Sequence, residues 1–147
     1  MTKKVISVKE NDSIKKVFKL MDEHGILGIP VLNEEGAVIG MVTETDLIDH
    51  FTTLKTPRGI SILGSIVFLD NITDFNKHLK DHCAELVKDV MSKEVATIMH
   101  NKTLSDAINS MSEKEVSRLP VVGDKGELVG IITRKDIVHQ IAKLKSI

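Results

Sequence analysis

The chain has 147 residues, and 41% of them are hydrophobic, which is enough for one compact domain with its own core. A net charge of −1 and an aromatic set limited to four Phe argue against general nucleic-acid binding. One cysteine, Cys83, rules out an internal disulfide, and the first residues lack the apolar stretch of a signal peptide. We therefore expect a cytoplasmic protein, and no apolar stretch is long enough to span a membrane.

The first part of the chain predicts the order strand, helix, strand, strand, helix. A short β-branched strand (Val5–Val8) leads into an amphipathic helix that Asp12 or Ser13 can cap and that stops near Gly25. Next come a second strand (Gly28–Leu32), a turn at 33–36, a third strand (Val38–Thr43) and a helix with apolar residues Leu47, Ile48 and Phe51. Pro30 within the second strand indicates a strand start or an unpaired backbone position.

Residues 52–88 form a connecting insertion, with an apolar stretch at 60–69 and a predicted helix from Asp74 to Met91. His78 and His82 share a face of that helix. Cys83 is rotated by about 100° from His82, and the segment offers no fourth ligand. We therefore predict a solvated helix face here and no metal site.

Residues 91–139 repeat residues 1–49 at a constant offset of 90, with 12 of 49 positions identical. The helical stripe Ile14, Val17, Phe18 and Met21 becomes Leu104, Ala107, Ile108 and Met111. The second copy predicts strands Val95–Ile98, Arg118–Val122 and Leu128–Thr133, a helix that Thr103 can cap, a turn at 123–126, and a last helix with Ile137, Val138 and Ile141. One copy alone buries too little surface, so we expect an α+β domain whose β-α-β-β-α repeats, 1–51 and 89–147, pack through their sheets with pseudo-two-fold symmetry.

The segments GIPVLNEEGAVIGMVTETDL and RLPVVGDKGELVGIITRKDI, one in each copy, resemble the CBS domain, named for cystathionine β-synthase. Two tandem copies look like a CBS pair, or Bateman module. The resemblance implies a regulatory module that binds an adenosyl ligand (AMP, ADP, ATP or S-adenosylmethionine) in the cleft between the repeats and needs no catalytic cofactor. It further implies a homodimer that signals to a regulated protein, of unknown identity, by conformational change.

A Thr-x-x-Asp motif opens the last helix of each copy, at Thr43 to Asp46 and Thr133 to Asp136. The motif is typical of a capping box, in which the hydroxyl and the carboxylate satisfy backbone donors of the first turn. The same helix end offers a positive dipole and backbone donors to an anion. Resemblance to the family implies that the two Asp bind ribose and that the two Thr lie beside the sugar or phosphate.

The family also implies an apolar slot for the adenine, formed by the first strand and by the residues just before and at the start of the second. The matching positions are Ile6, Ile26, Leu27 and Gly28 in copy one and Ala96, Val116, Ser117 and Arg118 in copy two. Ordinary core packing is the alternative interpretation of these residues. A base can be recognised there through backbone amides, so these side chains do not identify it.

The two copies differ in charge where a phosphate would lie. Copy two has Arg118 beside the cleft and Arg134 and Lys135 at the helix start, whereas copy one has Gly28 and Glu44 at the matching places. Cations at a helix N-terminus oppose the dipole, and a bound anion would reverse that cost. We expect copy two to take a phosphorylated ligand and copy one to be weak, vacant or suited to an uncharged or cationic adenosyl group, although Lys135 is equally consistent with a solvated surface charge.

Catalytic motifs are not found in the sequence, which has neither a Gly-rich phosphate loop ending in Lys-Ser/Thr nor a G-x-S-x-G sequence. His24, His50, His100 and His139 are expected to be solvated. We therefore predict no enzyme. Two alternatives to the ligand sensor are a dimerisation or partner-docking scaffold with a vestigial cleft, and a regulatory fragment of a larger enzyme or transporter.

Overall fold

The computed structural model describes residues 1–52, 59–62, 65–68, 77 and 80–144. The strands are β1 (Val8–Lys9), β2 (Gly28–Leu32), β3 (Val38–Thr43), β4 (Gly59–Ile62), β5 (Ser65–Phe68), β6 (Ile98–Met99), β7 (Arg118–Val122) and β8 (Leu128–Thr133). The helices are α1 (Ile14–His24), α2 (Glu44–Thr52), α3 (Val87–Val90), α4 (Leu104–Glu113) and α5 (Arg134–Leu144). Each repeat thus has the order β-α-β-β-α, which confirms the α+β prediction.

Each repeat builds a three-stranded sheet of the same topology, β1-β2-β3 in the first and β6-β7-β8 in the second. The first strand pairs parallel to the second, with Val8 opposite Val31 and Ile98 opposite Val121. In the second repeat, β7 pairs antiparallel to β8. The second and third strands have the predicted bounds in both repeats because the tight turns between them are encoded locally, with Gly36 and Gly126 at φ +83° and +80°.

The first strands are shorter than predicted and start later, at Val8 and Ile98 instead of Val5 and Val95. Proline in the second strand explains the late start. Pairing of β6 with β7 begins at Val121, directly after Pro120, which has no N–H to donate to a neighbour. On the side of β7 that pairs with β8, Pro120 lies opposite Ile131. The N–H and carbonyl of Ile131 form their hydrogen bonds with Thr2 and not with Pro120.

Helix α1 is capped by Ser13, whose hydroxyl oxygen accepts a hydrogen bond from the Lys16 N–H at 3.3 Å. The other candidate, Asp12, binds the Lys16 ammonium group at 2.8 Å. The helix ends at Gly25, which has the left-handed φ of +60°. In the second repeat, Thr103 caps α4 as predicted.

The apolar stripes of α1 and α4 are buried at most of the predicted positions. Ile14, Val17 and Met21 are buried in the first repeat. In the second repeat, one buried cluster combines helix and strand residues, namely Ala107, Met111, Leu119, Val121 and Ile132. Phe18 and Ile108, at equivalent positions of the two stripes, are exposed at the edge of the helix face instead.

The last helices bury fewer apolar residues than predicted. Leu47 is buried, but Ile48 is 61% exposed and its equivalent Val138 is 66% exposed. The apolar face that the sequence predicts for these helices is therefore only partly buried in a single chain. Among the described residues, none covers more than a minor part of these two side chains.

The connecting segment differs from its prediction in two ways. Its apolar stretch contains an antiparallel hairpin of β4 and β5, with Gly59 opposite Phe68. The predicted continuous helix from Asp74 to Met91 is broken, because Leu86 is extended and pairs with Ser13 before α3 starts. The N–H of Val87, a buried residue, donates to the Asp12 carbonyl at 2.8 Å. His78 and Leu79 of that prediction lie outside the described residues.

The chain forms two compact units that do not coincide with the two sequence repeats. One comprises Met1–Lys9, Pro30–Met41 and Ser92–Ile147, and the other comprises Glu10–Ile29 and Val42–Met91. The first unit draws on both repeats because backbone bridges join Thr2 to Ile131 and Met41 to Ser92. Among the helices that the structure describes, none combines the length and the hydrophobicity needed to cross a lipid bilayer.

Candidate ligand-binding site

The Thr-x-x-Asp motifs form the same capping geometry in both repeats. In repeat one, the N–H and hydroxyl of Thr43 donate to Asp46 Oδ2 at 2.7 and 2.6 Å. In repeat two, the N–H and hydroxyl of Thr133 both donate to Asp136 Oδ2 at 2.8 Å. Each Asp N–H returns a bond of 3.3 Å to the threonine oxygen. The predicted capping boxes are confirmed.

The capping box of repeat two leaves part of the aspartate available for a ligand. Both hydrogen bonds from Thr133 go to Oδ2 of Asp136, and within the described part of the chain Oδ1 accepts none. The side chain is half-buried at the first turn of α5. A carboxylate oxygen held in this way can accept hydrogen bonds from ligand hydroxyls without disturbing the cap.

The residues before the second strand contact the helix start directly. The N–H of Glu44 donates to the Leu27 carbonyl at 3.1 Å, and the N–H of Arg134 donates to the Ser117 carbonyl at the same distance. In repeat two, Arg118 also lies opposite Thr133 in the β7–β8 ladder. The structure therefore brings together the predicted slot residues and the predicted ribose and phosphate residues of each repeat, apart from those on the first strand.

The slot residues differ in burial. Ala96 and Val116 pack against the core cluster of repeat two, so ordinary core packing describes them well. Leu27 is 58% exposed, so the core-packing interpretation is wrong for this residue, which offers a ligand an apolar surface. The remaining slot positions are half-buried, except for buried Gly28; the half-buried ones are Ile6, Ile26, Ser117 and Arg118.

The predicted contrast in charge is present at the two helix starts. Arg134 is exposed, and its guanidinium donates to the Val116 carbonyl at 3.4 Å, which directs the cation back over the slot. Lys135 is exposed, as expected for a solvated charge, and Arg118 is half-buried. Repeat one has two acidic residues in the first turn of α2, Glu44 and Asp46, and both are half-buried.

A family model described as CBS domain matches residues 1–52 and 87–143 of this chain. The chain belongs to the CBS domain family. The two matched segments correspond to the two repeats except for residues 144–147, so the chain has a tandem pair of CBS domains, as the repeat and its motifs predict.

Relatives of similar length support this assignment. The chain is 30% identical over 146 residues to protein MJ1426 of Methanocaldococcus jannaschii, covering 95% of this chain and 87% of that one. In structure it is similar to CBSX2 in complex with AMP, with a TM-score of 0.73 and 24% identity, covering 99% of this chain and 94% of that chain. It is also similar to the CBS domain pair of protein MJ0100 in complex with 5'-methylthioadenosine and S-adenosyl-L-methionine, with a TM-score of 0.71 and 22% identity over 95% of this chain and 93% of that chain.

One group of chemically competent residues escaped the sequence analysis. His50 and His82 both contact Glu85, although His50 lies on α2 and the other two lie in the connecting segment. The spacing of His82 and Glu85, three residues apart on a helical pattern, was the only local signal. A sequence separation of 32 residues conceals the contribution of His50.

Proposed function

We propose that this CBS pair is a regulatory module that senses adenosyl nucleotides, and that the helix start of repeat two holds the phosphorylated ligand. The observation that carries the proposal is the Thr133–Asp136 capping box beside two arginines, with Oδ1 of Asp136 accepting no bond from the described chain. The module has no catalytic step of its own in this proposal. We place it in the cytoplasm, since its lone cysteine forms no disulfide.

Ribose recognition follows from the geometry of the aspartate. A ribose has two adjacent hydroxyl donors, and a carboxylate fixed by a neighbouring threonine accepts them with little loss of side-chain entropy. In repeat two, the Thr133 bonds already hold the Asp136 side chain in one orientation. The ligand therefore meets a preorganised acceptor.

Phosphate recognition follows from the charges around the same turn. Arg134 and Lys135 occupy the first turn of α5, where each exposed cation costs about 0.3–1 kcal/mol against the helix dipole. A phosphate placed between them and Arg118 reverses that cost and receives charge-assisted hydrogen bonds. Because Arg134 also donates to Val116, its guanidinium can orient over the ligand with other N–H groups still available.

Repeat one supports a different ligand preference. Glu44 replaces Arg134 at the start of the helix, and Gly28 replaces Arg118 at the start of the strand. A carboxylate there repels phosphate but is compatible with a neutral nucleoside or a sulfonium cation. The exposed Leu27 side chain supplies the apolar contact for a base. We propose that this site is weak for nucleotides and better suited to an uncharged or cationic adenosyl group.

Relatives whose structures contain ligands support the ligand class. CBSX2 has been seen with AMP, and the MJ0100 pair with 5'-methylthioadenosine and S-adenosylmethionine. These ligands share an adenosyl group and differ in charge. That difference corresponds to the contrast between the two helix starts of this chain.

Signalling requires a conformational change and a partner that responds to it. We propose that the first partner is a second copy of this chain, in a homodimer. Ile48 and Val138 are large apolar side chains exposed at equivalent positions of α2 and α5, and a partner that covers both removes this apolar surface from water. A second copy of this chain offers the same two residues. The mass in solution, measured by light scattering, should correspond to two chains for the parent protein and to one chain for the double variant Ile48→Lys, Val138→Lys.

Thermal unfolding in the presence of AMP, ADP, ATP and S-adenosylmethionine tests the ligand proposal. A ligand present at about 100 times its Kd stabilises the folded chain by about 2.7 kcal/mol, which is a measurable rise in Tm. Asp136→Asn should remove most of the rise with AMP. Asp106→Asn is the matched control, because Thr103 and Asp106 form the same capping box on α4. If no adenosyl ligand stabilises the chain, the proposal fails, and the docking scaffold becomes the better description.

A further inference from the structure

His50, His82 and Glu85 place three metal-ligating groups at one point of the molecule. His50 Nε2 lies 2.7 Å from one carboxylate oxygen of Glu85, and His82 Nδ1 lies 2.8 Å from the other. The two imidazole nitrogens are themselves 3.1 Å apart. All three ligand atoms lie within 4.8 Å of one another.

Hydrogen bonds hold the backbone that carries the three residues of this cluster. His50 lies in the last turn of α2, whose first turn is fixed by the Thr43–Asp46 capping box. The Glu85 N–H donates to the His82 carbonyl at 3.2 Å, and the Glu85 carbonyl accepts the N–H of Ile14 at 2.9 Å. Ile14 is a buried core residue at the start of α1. The backbone of Glu85 is therefore tied to the buried start of α1, and its carboxylate extends from this fixed point to the two histidines.

Aromatic contacts orient the two imidazole rings. The ring of Phe51 lies 5.8 Å from that of His50 and 5.7 Å from that of His82. Phe18 packs in turn against Phe51, with the two ring centroids 5.5 Å apart. An apolar wall of this kind restricts the imidazoles to a few orientations, which is a requirement for a precise ligand site.

We propose that His50, His82 and Glu85 bind one divalent transition-metal ion of the Zn²⁺ type. Two imidazole nitrogens and one carboxylate oxygen form a ligand set that suits Zn²⁺ and Co²⁺ better than Mg²⁺ or Ca²⁺, which favour oxygen ligands. Three protein ligands leave a fourth tetrahedral position for water or another small ligand. This site shares no residue with the nucleotide site on repeat two.

The distances and exposures are compatible with this ion. With Zn–N bonds of about 2.0–2.1 Å, ligand atoms of a tetrahedral site lie about 3.3 Å apart. The two imidazole nitrogens, 3.1 Å apart, need to separate by only a few tenths of an ångström, and the Glu85 carboxylate, whose two oxygens now contact one histidine each, needs to turn one oxygen toward the ion. The side chains of His50, His82 and Glu85 are 22%, 24% and 34% exposed, which leaves an entry path and a solvent-facing fourth position.

The competing explanation is a hydrogen-bonded cluster without an ion, in which each histidine donates one N–H to Glu85. In that arrangement two N–H donors lie 3.1 Å apart, which is electrostatically unfavourable. A metal ion removes this conflict, because it replaces both protons with one cation that all three groups can coordinate. The two explanations differ in whether the untagged protein binds Zn²⁺ with a defined stoichiometry.

Isothermal titration of the untagged, chelator-treated chain with ZnCl₂ tests the proposal. We expect one Zn²⁺ per chain and a rise in Tm that EDTA reverses. His50→Gln, His82→Gln and Glu85→Gln should each weaken binding by at least about tenfold. Titration with CoCl₂ should give the intense visible absorption of a tetrahedral Co²⁺ site, and each variant should lose it. Circular dichroism of the variants distinguishes loss of ligands from loss of folding.

Two control variants make the test specific. His100→Gln changes an exposed histidine that contacts Asp124 at 3.3 Å, so zinc binding should not change. Cys83→Ser should also leave binding unchanged, because a thiolate is not part of the proposed ligand set. Failure to bind Zn²⁺, equal loss with His100→Gln, or loss with Cys83→Ser would each overturn the proposal. None of these outcomes depends on whether an adenosyl ligand binds elsewhere.

Discussion

Thr2 and Ile131 exchange both of their backbone hydrogen bonds, each at 2.9 Å. Ser92 and Met41, which occupy the equivalent positions after an offset of 90, exchange theirs at 2.9 and 3.0 Å. The beginning of each repeat therefore pairs, through its backbone, with the third strand of the other repeat. Neither repeat forms this part of its structure alone, which gives a structural reason for the tandem arrangement.

This exchange requires a close backbone approach at Gly130. A Cβ added there would lie 2.8 Å from Met1 Sδ and 3.2 Å from the Thr2 carbonyl oxygen. Because Thr2 is held by two hydrogen bonds, it has little freedom to move away, and we expect Gly130→Ala to lower the free energy of unfolding by about 1–3 kcal/mol. Urea denaturation measures this change.

Gly123→Ala provides the comparison for Gly130. The three atoms nearest to its new Cβ all belong to the flexible carboxylate of Glu127, which can rotate away. We expect a loss below about 1 kcal/mol, although Glu127 also accepts the Lys125 N–H at 3.0 Å. An equal cost at both glycines would contradict the assignment of the Gly130 effect to the backbone of Thr2.

The ends of α1 and α4 differ in strain. Gly25 has φ +60° after α1, whereas the equivalent residue after α4 is Glu115, with φ +53°. A side chain in this left-handed region costs about 1 kcal/mol or more, which glycine avoids. We therefore expect Glu115→Gly to raise the free energy of unfolding by about 0.5–1 kcal/mol.

The reciprocal change tests the same argument at Gly25. A Cβ there would meet nothing within 4 Å, so Gly25→Ala has only the backbone cost and should destabilise the chain by about 1 kcal/mol. Chemical denaturation of both variants measures the two signs. Destabilisation by Glu115→Gly would show that the Glu115 side chain contributes more than its strain costs.

Arg134→Ala should selectively weaken the binding of phosphorylated ligands. A hydrogen bond to a charged group contributes about 1.5–3 kcal/mol, so the Kd for AMP should rise roughly tenfold to hundredfold. Adenosine, which lacks the phosphate, should bind both proteins equally. Titration calorimetry with the two ligands makes the comparison, and equal losses for both would place Arg134 outside the phosphate site.

Glu44→Arg should convert the helix start of repeat one into a site resembling that of repeat two. It removes a negative charge and provides a cation where phosphate is expected, so AMP binding at this site should strengthen by about tenfold. The measurement uses Asp136→Asn as background, to suppress the other site. An unchanged Kd would mean that Glu44 does not limit phosphate binding.

Asp106 makes a stability contribution that depends on pH. The N–H and hydroxyl of Thr103 donate to its carboxylate, and they lower the pKa of Asp106 below its ordinary value of 3.8. A depressed pKa means that the stabilisation is complete above pH 3.8 and is lost as the pH falls through the lower value of the folded chain.

Unfolding experiments on Asp106→Asn measure this contribution. The variant should be less stable than the parent chain near neutral pH, and the difference should shrink as the pH falls below 3.8. Asp22→Asn is the control, since within the described residues the Asp22 side chain makes no hydrogen bond or ion pair. A difference for Asp106→Asn that stays constant with pH would rule out a contribution from the ionised carboxylate.

The amino-acid sequence by itself determined the features that depend on neighbouring residues. The offset of 90, the second and third strands, the glycine turns at Gly36 and Gly126 and the Thr-x-x-Asp caps can all be read from the sequence. In the turns and the caps, the residues that make the hydrogen bond or the turn lie within four positions of one another. Such patterns act before distant parts of the chain meet.

Tertiary structure decided the features whose partners are distant in sequence. Because proline in the second strand has no N–H to donate, the first strand starts later in the sequence than predicted. Pairing of Leu86 with Ser13 interrupts the helix predicted to continue to Met91. The meeting of His50 with His82 and Glu85 depends on where α2 ends relative to a segment 32 residues later. Periodicity indicates which face of a helix is apolar, but only the packed chain determines which side chains from separate elements share one point in space.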